Sequence, residues 1–202
     1  MCSRFLFSEK QNSEEVRRFC AIAEQRFGGE LWSRGEILPG MCFPVLLAGK
    51  KKAEMKLMNW GYSLNSGNLL INARSESVDR KPVFAADFRE RRCAVLTTGF
   101  YEWGKDEERT KFLFTGSDPV MYLAGICNLE GKFAILTTQA NGSVKGIHHR
   151  MPVILPKGKV LTWLNDVDAA RGILTLEMPS LTAEDQAEDE PGRDFRGSWN
   201  PQ

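Results

Sequence analysis

The chain has 202 residues, with 27 Lys+Arg against 26 Asp+Glu, a formal net charge of +1, 42% hydrophobic and 26% charged residues. These proportions exclude disorder, collagen and coiled coil, and the length suits one domain with a tail. No apolar run approaches the roughly 18 residues of a membrane span, the first residues show no secretory h-region, and the near-neutral sum argues at first sight against a nucleic-acid binder.

The first predicted element is a helix. Asn12 or Ser13 can cap it, Glu14 and Glu15 suit the positive end of its dipole, and Gly28-Gly29 ends it. Val16, Phe19, Cys20, Ala23 and Phe27 fall on one face, so Cys20 reads as a small core residue. Beyond it the chain reads mostly as strands: Asn68 to Asn72, Cys93 to Trp103, Lys111 to Thr115, Val120 to Cys127 and Lys132 to Thr138. Gly116 to Pro119 and Glu130-Gly131 supply turns. A short helix is expected after Ser75, broken by Pro82 and resuming over Val83 to Arg89, and another over Asp166 to Leu174. Strands and helices do not alternate regularly. The expected fold is therefore α+β, a single domain around a curved, barrel-like mixed sheet with a few flanking helices.

The composition shifts near Ala183, which divides the chain into a domain over 1–182 and an acidic tail over 183–202. With six of the acids and two of the arginines in that tail, residues 1–182 carry 25 basic against 20 acidic residues, a net +5. Lys50, Lys51, Lys52, Lys56, Arg74, Arg89, Arg91 and Arg92 are candidates for a basic face. The sum of +1 therefore does not exclude DNA.

Five cysteines without C-x-x-C, and no H-E-x-x-H, give no disulfide framework and no metal site, so a reducing cytoplasm is expected. No glycine-rich phosphate loop is present, and no cofactor is expected. Cys2 becomes a 1,2-aminothiol once Met1 is removed, and both of its nucleophiles can attack one aldehyde carbon. Its α-amine, with a reference pKa of about 7.7–8.0, is partly neutral at pH 7. Glu102 lies between two aromatics in Gly99-Phe100-Tyr101-Glu102-Trp103-Gly104. Facing inward, its raised pKa would suit proton transfer; facing outward, it would be an ordinary strand carboxylate. Both histidines stand together as His148-His149, so any histidine-based proton transfer uses that segment. Arg74, in Asn72-Ala73-Arg74-Ser75-Glu76, suits either a phosphate or a surface pair with Glu76.

In this order, Met1-Cys2, Asn72 to Glu76, Arg91-Arg92-Cys93 through Trp103, and His148 to Pro152 resemble the motifs of the SOS response-associated peptidase (SRAP) family, the abasic-site processing proteins. Trp60-Gly61, Ala124-Gly125 and Phe133 to Thr138 with Ala140-Asn141 add to the resemblance, which spans about residues 1–180. It implies the SRAP fold and a covalent thiazolidine between Cys2 and the ring-opened aldehyde of an abasic site in single-stranded DNA. By the same resemblance Asn72 positions the Cys2 end, Glu102 transfers protons and aids reversal, and His148 is an acid–base on the sugar. Arg74, Arg4, His149, Arg150, Met151 and Pro152 would meet DNA, and Trp60 would stack on a base or wedge into the strand. AP-lyase activity and self-processing of Met1 are implied as well. The partner would be single-stranded DNA containing an abasic site, with no membrane, a monomeric protein, and a cytoplasmic location with nucleoid association when bound. Ser3, where the family often has Gly, and Gly35 to Gly40, in place of an Arg-Tyr-Asn-x-Ala-Pro segment, depart from the pattern. Two other readings compete: a cysteine peptidase using Cys2, His148 and Glu102, and a non-catalytic single-strand binding module.

Overall fold

The computed structural model describes residues 2–10, 13–49, 52–64, 66–105 and 107–186. Asn12, Lys50, Lys51 and the tail beyond residue 186 lie outside the described residues. Strand β1 (Phe5–Phe7) enters the structure first, and helix α1 (Glu14–Phe27) follows with Ser13 at its N-cap position. Val16, Phe19, Cys20 and Ala23 form its buried face. The helix stops where Gly28 adopts φ 78° and its N–H donates to Glu24 O at 2.9 Å.

Strands β2 (Gly35–Ile37), β3 (Cys42–Leu47), β4 (Glu54–Trp60), β5 (Tyr62–Ser63), β6 (Leu69–Leu70) and β7 (Asn72–Arg74) come next. Helix α2 (Pro82–Glu90) leads into β8 (Arg92–Thr97), β9 (Gly99–Trp103), β10 (Lys111–Thr115), β11 (Met121–Cys127) and β12 (Lys132–Gln139). The chain ends through α3 (Gly142–Lys145), β13 (Arg150–Pro152), β14 (Ile154–Leu155), α4 (Val160–Asn165), α5 (Val167–Ile173) and β15 (Thr182–Asp185).

The strands form two main sheets. A five-stranded antiparallel sheet has the order β15-β10-β9-β1-β2. An eight-stranded sheet runs β13-β12-β4-β3-β8-β11-β14, with β7 as its eighth strand paired to β12 off that path, and it closes on itself because β11 also pairs with β12. It is mixed: β12 runs parallel to β4 and to β7, and its other pairings are antiparallel. The expected α+β, barrel-like mixed sheet is what the chain forms.

The core between β1, α1 and the closed sheet is aromatic. Phe7 lies 5.3 Å from Phe19 and 5.5 Å from Phe43, centroid to centroid, and Phe5 lies 5.1 Å from Phe43. Two glycines of the motifs have steric reasons. Gly61 has φ 112°, and a Cβ there would stand 3.0 Å from the Leu69 side chain. A Cβ on Gly125 would stand 2.7 Å from Cys93 Sγ across the β8–β11 pair.

Several expectations need correction. Pro82 does not break a helix; it begins α2 as the first helical residue, where its missing N–H is no loss. The single strand over 93–103 is two strands. The chain leaves the closed sheet at Thr98 and joins the other, and Thr97 Oγ1 donates to Leu6 O at 2.7 Å at the crossing. Strand β15 starts at Thr182 and pairs with β10 through Asp185.

Arg92 is not on a basic face. It is buried, and its guanidinium donates to Trp163 O at 2.6 Å, Phe88 O at 2.7 Å, Arg89 O at 2.8 Å and Leu164 O at 3.2 Å. One cation thus serves the last carbonyls of α2 and α4. Arg91 is held by Asp87 at 2.7 Å and Glu90 at 2.6 Å. Arg92→Met should lower the unfolding free energy by about 4 kcal/mol in urea titrations, because several charge-assisted bonds to buried carbonyls vanish. An unchanged midpoint would return Arg92 to the surface reading.

Candidate functional site

Cys2 is fully buried, three residues ahead of β1. Its carbonyl accepts from Asn72 Nδ2 at 2.8 Å, and its thiol faces Arg4 O at 3.9 Å. Asn72 opens β7, which lies parallel to β12 with Asn72 opposite Ile135. The pairing with β12 therefore fixes where the amide meets the amino-terminal segment. Burial pushes the Cys2 thiol well above its ordinary range, and the nearby Glu102 charge raises it further.

Glu102 points inward from β9 and is only 3% exposed. Burial pushes its carboxyl up to about 7. A carboxyl with that value both gives and takes protons near neutrality. Of the two readings open to an alternating strand, the inward one holds.

His148 follows α3, which is capped by the Asn141 side chain accepting from Ser143 N–H. His148 N–H donates to Val144 O at 2.9 Å, which brings the ring back over the site. Nδ1 lies 3.7 Å from Glu102 Oε1, so a protonated ring pairs with that carboxylate. Nδ1 also lies 2.9 Å from Arg150 O and 3.1 Å from Arg150 N, so it donates in one tautomer and accepts in the other. Burial holds the imidazole below its ordinary range, favouring the neutral ring.

The structure thus brings Cys2, Asn72, Glu102 and His148 together from four separate segments. It does not place every other expected residue at the surface of that site. Trp60 is fully buried, donates Nε1–H to Ile71 O at 3.0 Å and stacks on Phe133, so its ring has no free face for a base. Met151 is fully buried, and Pro152 is buried beside it in β13 opposite Thr137. Arg150 is buried too, with paired bonds to Glu76 at 2.5 and 2.9 Å and one to Thr137 O at 2.6 Å. These three hold the His148 loop in place and are not open contacts. The Arg150 ion pair also holds the Glu76 carboxyl below its ordinary value. It takes the acid that was the alternative partner of Arg74.

Arg74 is exposed at the end of β7, and His149 is exposed with its ring 4.5 Å from that of His148. Arg4 pairs with Glu36 at 2.7 Å, and its guanidinium lies over Trp103 at 5.1 Å. The sequence reading missed Lys111, which binds the same Glu36 at 2.6 Å, and Thr137, which anchors Arg150. Only the cross-strand register could have revealed either. No group of three or more possible metal ligands occurs among the described residues. None of their helices is long and apolar enough to cross a membrane.

The fold and the grouping of Glu102 and His148 near Cys2 describe a class of sheet-built proteins that enclose a thiol, a carboxyl and an imidazole close to the start of the chain. The chain belongs to the SOS response associated peptidase (SRAP) family, whose sequence model matches residues 1–187. The abasic site processing protein YoqW of Bacillus subtilis is 28% identical over 183 residues, covering 82% of this chain and 80% of that one. The abasic site processing protein YedK of Escherichia coli is 26% identical over 181 residues, covering 81% and 79%. The abasic site processing protein YoaM of Bacillus subtilis is 32% identical over 117 residues, and the match spans only 52% of each chain. A crystal structure of a protein from Bacteroides thetaiotaomicron superposes with a TM-score of 0.71 over 93% of both chains at 21% identity, which speaks for the fold.

Proposed function

We propose that the protein processes abasic sites in single-stranded DNA by bonding Cys2 to the ring-opened sugar. The observation that carries this reading is a buried Cys2 held by Asn72 at 2.8 Å and close enough to feel the charge of Glu102, which itself lies 3.7 Å from His148. Removal of Met1 frees the Cys2 α-amine. The neutral amine adds to the aldehyde carbon, and loss of water leaves an imine. The thiol then adds to the imine carbon, its proton passes to the ring nitrogen by way of Glu102 or His148, and a thiazolidine closes.

The state of each group supports this order. A thiol raised by burial stays protonated, so the amine attacks first. Glu102, near 7, removes and returns the protons of imine formation and of its reversal. The neutral His148 serves as acid–base at the sugar oxygen. An imine also acidifies the neighbouring sugar carbon, which opens a β-elimination route and hence AP-lyase activity. Self-processing of Met1 would use the same groups. Arg74 and His149 are the exposed residues placed to meet phosphate. In this reading the protein acts as a monomer in the cytoplasm and joins the nucleoid on binding.

The peptidase reading is weaker, because peptide cleavage by cysteine requires a thiolate, and burial opposes one here. The deciding experiment incubates Met1-processed protein with a single-stranded oligonucleotide containing one abasic site. A heat-stable shifted band is expected, and it should vanish when the α-amine is blocked. Trans cleavage of peptides that survives amine blocking would favour the peptidase instead.

A further inference from the structure

The least expected feature beside the site is a carboxylate shared between two cations. Glu36 Oε2 pairs with Arg4 at 2.7 Å and Glu36 Oε1 pairs with Lys111 at 2.6 Å. Four strands place these groups: Glu36 is in β2 opposite Leu6 of β1, and Lys111 is in β10 opposite Trp103 of β9. Aromatic faces back both cations. The Arg4 guanidinium lies 5.1 Å from the Trp103 ring centre, and the Lys111 ammonium 4.5 Å from that of Tyr101. The backbone of Arg4 is tied to the reacting end of the chain, since Arg4 O faces the Cys2 thiol and accepts from Tyr101 N–H at 2.9 Å.

We infer that Arg4 and Lys111 form a seat for a DNA phosphodiester, and that Glu36 occupies this seat until a strand exchanges with it. The inference deepens the proposed function and rests on DNA being the partner. A phosphodiester offers two non-bridging oxygens, as a carboxylate offers two, so the replacement is one for one at each cation. The Glu36 side chain is 35% exposed, open enough for a solvent-borne anion to displace it. Burial works against its charge, yet Lys111 and Arg4 together hold its carboxyl below the ordinary range, so it is a true anionic competitor at neutral pH. The seat is therefore a means by which this chain makes DNA entry conditional on outcompeting its own carboxylate.

The test measures binding of an undamaged single-stranded oligonucleotide to the full-length, Met1-processed protein across a salt series. Glu36→Gln should bind about tenfold more tightly at low salt, with a steeper salt slope, since Arg4 and Lys111 no longer share the Glu36 carboxylate. Glu36→Gln combined with Lys111→Met should lose most of that gain. Unchanged or weaker binding by Glu36→Gln would overturn the inference. Should Glu36→Gln fail to fold, Glu36→Asp keeps the charge but is too short to bridge both cations. It should bind severalfold more tightly than wild type, and no gain would again overturn the seat. The outcomes separate the two readings. A wild-type crosslink at an abasic site, with no gain in Glu36→Gln, removes the seat and leaves the crosslinking function. A gain without any wild-type crosslink removes the crosslink and leaves the seat.

Discussion

Cys2→Ala should abolish the heat-stable band while leaving non-covalent binding of the same oligonucleotide within about twofold, a change below 0.5 kcal/mol. The thiol supplies the atom that closes the five-membered ring. Alanine keeps the α-amine, so an imine still forms, but it hydrolyses on heating because nothing traps it. Borohydride reduction should therefore recover a band with Cys2→Ala. A band that survives heating without borohydride would show that the thiol is not the trap. The thiol is buried, but its removal is small in volume, so a stability loss of about 1 kcal/mol is expected and should not confuse the assay.

The second large effect is expected at Glu102. Glu102→Gln should slow crosslink formation and reversal by about 10²–10³-fold, in the range set by a positioned general acid–base. It should also flatten the wild-type pH dependence near 7, where the carboxyl titrates. Stability should change in the opposite direction. The folded-state value lies above the unfolded value, so the native protein holds its proton more tightly than the unfolded chain. Stability due to this group is therefore full below the unfolded value of about 4.3 and is lost as pH rises through about 7. At pH 8 the loss is on the order of 3 kcal/mol, and Glu102→Gln, which cannot ionise, should escape it. Thermal melts should show the variant gaining on wild type between pH 5 and 8. A constant gap across that range would mean that Glu102 ionises normally in the folded protein.

Some elements were legible because they depend on local pattern. Helix α1 is carried by a face of Val16, Phe19, Cys20 and Ala23, and α5 by Asp166, whose side chain accepts from Asp168 and Ala169 N–H. Strands β10, β11 and β12 were marked by β-branched and aromatic runs between turns. β2, β3 and β4 were missed. β2 is three residues long, β3 carries Pro44, and β4 mixes exposed Glu54, Lys56 and Asn59 with buried Met55, Met58 and Trp60. Their structure comes from pairing partners far along the chain, which no window of sequence contains.

The site divides in the same way. Cys2, Glu102 and His148 stand out by residue type and motif order, and the fold brings them close together. Trp60, Arg92 and Arg150 look identical in sequence whether they face solvent or core. Trp60 reads as a base-stacking ring until Phe5 and Phe133 are seen against it. Arg92 reads as a surface cation until two helix ends are found around it. Arg150 reads as a DNA contact until Glu76 and Thr137 claim its donors.

The burial of Cys2 also bears on the order of events during synthesis. The pocket that encloses it needs Asn72, Glu102 and His148, and β7 is docked on β12, whose residues emerge from the ribosome late. While the chain is being made, the amino terminus is open to solvent and to any soluble aminopeptidase. Once β12 and the His148 loop are in place, Cys2 is enclosed. Under the proposed function, external removal of Met1 would have to be co-translational, and removal after folding would fall to the protein's own groups. Folded protein that still carries Met1 should resist an added methionine aminopeptidase, while an unfolded amino-terminal peptide of the same sequence should be trimmed. Rapid trimming of the folded form would show that the terminus opens on its own.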